Sequence, residues 1–265
     1  MIIPDQNEDE EVGSIINQIF TKDMLKKLFY HTCRPDIPDN NEKAELIQEL
    51  IGDEFVELGT GTNRMAFVYN PNDDRESMVG SNLVISIALD KQGMIDNWTE
   101  FKRSVESPET IVKGYETNLL ILVEQYLTVM DIEEFRINRE PILEVLKQLS
   151  EVYIFGDIGY FGKNFANWGY DTQGNIKVVD AGYMYPIKGN EQALICPRCR
   201  ARIRYNQNYT EFVCSNKDCR NVYDFTDIRD RMNLDIEKME DKVIAAINDI
   251  ELPDLDEFLD EFENI

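Results

Sequence analysis

Two cysteine pairs, Cys196-Pro-Arg-Cys199 and Cys214-Ser-Asn-Lys-Asp-Cys219, are separated by fourteen residues, and no other stretch limits its local chain path so tightly. Four thiolates in two close pairs can close a tetrahedral zinc site, and the proline inside the first pair favours a tight knuckle. Between the pairs lie Ile203, Tyr205, Phe212 and Val213, whose side chains favour extended backbone and predict a hairpin. Two disulfides are the alternative use of four cysteines. Zinc is expected instead, because no secretory signal accompanies them. Such an ion would be structural, since Cys196, Cys199, Cys214 and Cys219 leave no coordination position open to water.

The chain has 265 residues, 43% of them hydrophobic, enough for one sizeable core with an appendage or for two modest domains. Lysine and arginine number 27 against 51 aspartates and glutamates, a formal charge of -24. That balance argues against direct nucleic-acid binding, because a phosphate backbone rewards basic surfaces. The exception is local: Arg198, Arg200, Arg202 and Arg204 make the cysteine-rich segment the one place suited to an anionic partner. No apolar run approaches a membrane span, and the opening MIIPDQNEDEEVG is too acidic for a signal peptide. The expected location is the cytoplasm.

Residues 1 to about 12 read as a loose acidic arm, after which Ser14 is placed to cap a helix carrying Ile15, Ile16, Ile19 and Phe20. A second helix is expected from Asn41 to Ile51, stopped by Gly52. His31, the only histidine, and Cys33 fall between them and are expected to be a partly buried imidazole and an ordinary thiol. From Glu54 to Leu58 the pattern is that of a strand, followed by Gly59-Thr60-Gly61-Thr62-Asn63-Arg64 and a second strand, Met65 to Tyr69. A Rossmann or Walker loop would open a helix at this point, whereas Met65-Ala66-Phe67-Val68-Tyr69 favours extension. After a polar turn, Pro71 to Ser81, a third strand is expected from Leu83 to Leu89. The following helix, Gly93 to Val105, is expected to turn Met94, Trp98, Phe101 and Val105 inward and to leave Asn97 and Glu100 on an adjoining face. Asn118 to Tyr126 reads as a buried strand ending in a polar segment, and a helix with Ile142, Val145, Leu146 and Leu149 comes next.

In GDIGYFGKNFANWGYDTQGNIKVVDAGY, Gly156 to Tyr183, two short strands, Trp168 to Tyr170 and Ile176 to Val179, flank the turn Asp171-Thr172-Gln173-Gly174. This hairpin delivers Asn167 and Asp180 to one edge, thirteen residues apart in sequence. An amide and a carboxylate held there suit a magnesium ion that carries nucleotide phosphates.

That hairpin, with the glycine-containing strand pair and the order of elements over about residues 54 to 185, resembles the protein-kinase-like superfamily, in its phage and bacterial or pseudokinase forms. The resemblance implies an α+β, minimal two-lobed kinase-like fold with a C-terminal zinc ribbon and short helical tail. Its parts would be an N-terminal helical extension (1–52), an N-lobe (53–126), a reduced C-lobe with the catalytic hairpin (127–190), the ribbon (191–225) and a C-terminal helix with an acidic tail (226–265). It implies ATP and magnesium as cofactors, Gly59, Gly61 and Arg64 over the phosphates, Asn167 and Asp180 on the metal, and Asp157 as catalytic base. Glu124 and Tyr126 fall where backbone groups of the family bind adenine. Two departures matter. Ser86 or Ile87 stands where an active kinase has its phosphate-binding lysine, so Glu100, which matches that lysine's partner, is expected either in the site or as a solvated surface residue. Asp157 also precedes Asn167 by ten residues, where a protein kinase has five. The expected function is a phage-type ATP- and magnesium-dependent phosphotransferase, in the host cytoplasm if phage-encoded. The alternative is an inactive pseudokinase that binds a host or phage protein through the ribbon and tail. In that tail, Glu251 to Ile265, seven acidic residues accompany Leu255, Phe258, Leu259 and Phe262 at helical spacing, a stripe for the core or for a partner's groove.

Overall fold

A computed structural model describes residues 15–33, 39–51, 55–69 and 83–232. The acidic arm, the Ser14 cap, the Gly52 stop, the Pro71–Ser81 turn, the helix expected over Leu234–Ile250 and the acidic tail lie outside the described residues. The fold is mixed α/β, with a four-cysteine cluster toward its C-terminal end.

Three helices come first: α1 (Ile15–Ile19), α2 (Lys22–Cys33) and α3 (Asn40–Leu50). Helix α2 differs from the sequence expectation, although Met24, Leu25, Leu28 and Phe29 lie at helical spacing. It is held by burial of Leu28 and Phe29, and α3 by the Asp39 side chain capping the backbone N–H of Asn41. Next are β1 (Phe55–Thr60), β2 (Arg64–Tyr69) and β3 (Leu83–Ala88), then helix α4 (Lys91–Glu106), then β4 (Gly114–Thr117) and β5 (Ile121–Gln125). They form one antiparallel sheet in the order β1-β2-β3-β5-β4.

Period-two alternation gives this sheet two different faces. Met65, Phe67, Ile85, Ile87, Ile121 and Val123 point one way and join Ile16, Phe20, Leu28 and Ile47 in a common core. The register pairs Arg64 with Ala88, Ala66 with Ser86, Val84 with Glu124, and Ser86 with Leu122. That second face therefore carries small side chains and two ionisable ones. Strand β1 runs two residues further than expected, so Gly59 lies within the strand beside a bulge and only Gly61 belongs to the turn.

Helix α4 corrects an expectation. Trp98 and Val105 are exposed, at 37% and 62%, while Asn97 and Glu100 are buried, at 0% and 2%. The polar stripe faces inward because the sheet's end offers it partners. Asn97 donates to the carbonyls of Leu119 (2.8 Å) and Leu120 (3.2 Å), at a turn where Leu119 has φ 73° and the backbone acceptors would otherwise be orphaned. Arg103, one turn on, donates to the Met184 carbonyl at 2.9 Å.

The second half begins with β6 (Thr128–Val129), α5 (Ile132–Ile137) and α6 (Arg139–Ser150), followed by β7 (Tyr153–Phe155), β8 (Trp168–Tyr170), β9 (Ile176–Val178) and β10 (Met184–Pro186). Ile142, Leu146 and Leu149 of α6 are buried, and with Phe135, Phe155, Trp168 and Val178 they make a second core. The β8–β9 hairpin pairs Trp168 with Val178, and Asp171 closes its turn by accepting from the backbone of Gln173 and Asn175. The last described part is a three-stranded sheet, β11 (Ile203–Tyr205), β12 (Phe212–Cys214) and β13 (Val222–Tyr223), with the short helix α7 (Phe225–Arg229). Cys196, Ile203, Phe212 and Ile228 form its own small core.

Candidate functional site

A polar cluster lies where the second face of the five-stranded sheet, helix α4 and the end of the β8–β9 hairpin meet. Arg64 enters from the start of β2. Its guanidinium makes an ion pair with Glu100 of α4, lies 3.5 Å from Asp180 Oδ1, and donates to Asn97 Oδ1 at 3.4 Å. Glu100 uses its other oxygen to accept from the backbone N–H of Ala181 at 3.1 Å. The helix carboxylate thus ties the sheet's arginine to the Asp180-Ala181-Gly182 segment, and the reading of Glu100 as a solvated surface residue is replaced by one of a buried, paired group. Asn167 donates to the Asp157 carbonyl at 3.0 Å, which fixes the loop between β7 and β8.

Electrostatics in this cluster are governed by burial. Burial works against the charge of Arg64, but the carboxylates of Glu100, Asp180 and Glu124 outweigh it and hold the guanidinium protonated. Burial raises Glu100, and Arg64 opposes the shift. Glu124, on β5, is pushed well above the glutamate range by burial and by its neighbour Glu100, and its Oε1 has no hydrogen-bond partner among the described residues. Asp157 is pushed up to about 7 by burial and by the charges of Asp180 and Glu100, and its buried Oδ1 likewise has no partner among them. Three carboxyl groups, Glu100, Asp180 and Glu124, thus act on one guanidinium, and Asp157 feels the charges of Asp180 and Glu100. Their oxygens are hard donors of the type magnesium takes, but among the described residues only the four cysteines are gathered closely enough to form a metal-ligand group.

Of the residues expected here, Arg64, Glu100, Asp157, Asn167 and Asp180 come together, and Glu124 adjoins them through its side chain, not its backbone. Gly61 shapes the approach by donating its N–H to the Arg64 carbonyl. Gly59 and Tyr126 make no hydrogen bond or ion pair to the cluster among the described residues. Asn97 was placed beside Glu100 by their i, i+3 spacing on one helix face, but not given a role in the site. Asp96 had no sequence signal; it is raised by burial while accepting from Gln92 and Asn63.

The four cysteines form the second site. Cys196, Cys199, Cys214 and Cys219 present sulfur atoms that all lie within 4.8 Å of one another, and none is in a disulfide. Cys199 and Cys214 are 3.3 Å apart, and Cys196 and Cys219 are 3.7 Å apart. Zinc–sulfur bonds of about 2.3 Å in a tetrahedron require sulfur separations of roughly 3.8 Å, so the set fits one zinc ion. Each pair closes a knuckle in the same way: Arg200 and Arg220, just after the second cysteine of each pair, adopt left-handed φ of 63° and 51°. Their N–H groups bond the carbonyls of Cys196 and Asn216.

The ribbon also grips the candidate catalytic loop. The Tyr205 hydroxyl accepts from the Phe155 N–H at 2.6 Å and donates to the Phe155 carbonyl at 3.1 Å, and the two rings stack with centroids 4.6 Å apart. Two glycines flank Asp157 at close approaches. A Cβ on Gly156 would lie 2.3 Å from the Phe225 ring, and one on Gly159 would lie 2.3 Å from the Tyr209 carbonyl. Among the described residues no helix is long and apolar enough to cross a membrane. No protein-family model matches the chain, and no curated protein sequence matches it.

Proposed function

We propose that this chain is a protein-kinase-like phosphotransferase that uses ATP and magnesium, with Arg64 of β2 serving where the family has a lysine on the third strand. The observation that supports this most is the chain of contacts Arg64–Glu100–Ala181, with Asp180 beside the arginine. A third-strand lysine would start from the neighbouring position on the same sheet face, since Ser86 pairs across with Ala66, two residues from Arg64. The cation is kept, and the strand that supplies it changes.

On this reading Arg64 holds the nucleotide phosphates and Glu100 fixes its fork. A flat base would lie against Ala66 and Val84, which are half-buried, while Ser86 beside them is buried. Asn167 and Asp180 hold the metal, whose contribution is to neutralise charge on the phosphate oxygens. Asp157, poised near pH 7, accepts the proton of the acceptor hydroxyl, because a base with a value close to the working pH is both available and strong enough. The ten-residue separation of Asp157 and Asn167 is bridged by the hydrogen bond from the Asn167 amide to the Asp157 carbonyl.

The absence of a lysine on β3 favours a second reading, nucleotide or partner binding without transfer. Thermal shift with ATP, with and without magnesium, combined with ADP release, distinguishes the two. The expected result is a magnesium-dependent shift that Asp180→Asn abolishes without lowering the unliganded melting temperature, and slow ADP release that Asp157→Asn removes while the shift persists. A shift without ADP release supports the binding-only reading. No shift at millimolar ATP overturns both nucleotide readings.

A further inference from the structure

The ribbon's charge runs against that of the whole protein. Between Cys196 and Tyr223 there are six arginines and lysines and two acids, in a chain of formal charge -24. Two of the basic groups, Arg202 and Arg204, are also placed on one sheet face. Ile203 and Phe212 point into the ribbon core, so the alternate positions point out, and the register lines up Arg204, Val213 and Val222 across the three strands. Arg202 and Arg204 are exposed and in no salt bridge among the described residues, while Val222 is 55% exposed. The outer face is thus a short apolar strip bordered by unpaired arginines.

We propose that this face is the docking site of the chain's own C-terminal segment, Glu251 to Ile265. The inference is independent of the kinase reading and rests on complementarity. The segment carries seven acidic residues and no basic one, and its Leu255, Phe258, Leu259 and Phe262 share one side at helical spacing. Valines with an arginine border match that pattern in both polarity and charge, and the pairing neutralises the ribbon within a single chain. Reach is no obstacle. Met232, the last described residue, sits in the ribbon's own core, and twenty residues separate it from Pro253. Even a fully helical connection of that length spans about 30 Å, and the proline permits the reversal that brings the segment back. The exposed apolar side of α4, with Trp98 and Val105, is a competing seat but has no comparable arginine border.

The test uses the full-length, zinc-loaded protein with the photo-crosslinking residue benzoylphenylalanine in place of Val222. Irradiation is expected to give intramolecular cross-links that map within residues 251–265. Their yield should fall several-fold in Arg202→Glu/Arg204→Glu and in about 1 M salt, where charge attraction is screened. Zinc content verifies that the variant ribbon is folded. Cross-links to another segment, cross-links to a second copy, or no cross-link to the tail would each overturn the proposal. So would a yield indifferent to both the charge reversal and salt. Tail-free cross-linking accompanied by binding of single-stranded RNA would assign the face to nucleic acid instead.

Discussion

The cysteine centre and the Arg64 cluster both hold polar groups away from water, but they gather them over different lengths of chain. Cys196 and Cys219 are 23 residues apart, and two local knuckles bring their sulfurs together. Arg64 and Glu100 are 36 apart, and Glu100 and Ala181 are 81 apart, so that cluster exists only once the sheet, α4 and the hairpin have assembled. One site is built by local geometry that fits an ion, the other by tertiary packing and a balance of buried charges. The difference predicts separate failures.

Metal removal gives the largest effect. Structural zinc contributes on the order of 10 kcal/mol to a module of this size, so Cys199→Ser or strong chelation should unfold residues 196–232. Hydrogen exchange should report that loss while the sheet of residues 55–125 stays protected. Equal loss of protection in the sheet would break the comparison, because the two regions would then be one cooperative unit. Metal analysis is expected to give one zinc per chain.

Arg64→Leu comes second. It leaves Glu100 buried without its cation, and stranding one partner of a buried pair costs about 3–5 kcal/mol. Denaturant unfolding should show that loss, while zinc content is unchanged. Adding Glu100→Leu should recover much of it, since a well-packed apolar pair is tolerated where a lone charge is not. Simple additivity of the two variants would show that the ion pair does not hold the cluster together.

The smallest effect expected is a pH dependence at Glu124. Its folded value is raised by burial and by Glu100, so it binds its proton more tightly folded than unfolded. The stability this group supports is complete below the ordinary glutamate range and is lost as pH rises through the raised value. Glu124→Gln keeps the shape and cannot ionise, so its melting temperature should gain on the wild type by a few degrees between about pH 5 and about pH 9. A constant difference across that range would place the titration elsewhere.

The same contrast explains what was legible in the sequence. The cysteine spacing, the Asp171–Gly174 turn and the strands on either side of it are local, and they were read at nearly the right positions. Helix α4 was found, and Met94 is inward as expected, but Trp98 and Val105 are exposed and the buried stripe is shifted onto Asn97 and Glu100. Apolarity ranks Trp98 and Val105 as inward, and nothing within the helix announces that Asn97 would meet the carbonyls of Leu119 and Leu120. Arg64 could be nominated for the phosphates, yet its pairing with Glu100 needed the sheet register. Helix α2 was missed although its signal is local: Met24, Leu25, Leu28 and Phe29 share one apolar face that packs on the first core.

Tyr205 joins the two regions. It belongs to the ribbon by sequence, yet both its hydrogen bonds and its ring stacking fall on Phe155, two residues before Asp157. A zinc ion held by the four cysteines would therefore share one free-energy term with the placement of Asp157, and such terms are reciprocal. A ligand that favours the clamped form of the Asp157 loop must tighten zinc by the factor with which zinc tightens that ligand. The zinc dissociation constant, measured by competition with a chelator, then becomes a gauge of occupancy at the distant carboxylate, readable without observing any reaction.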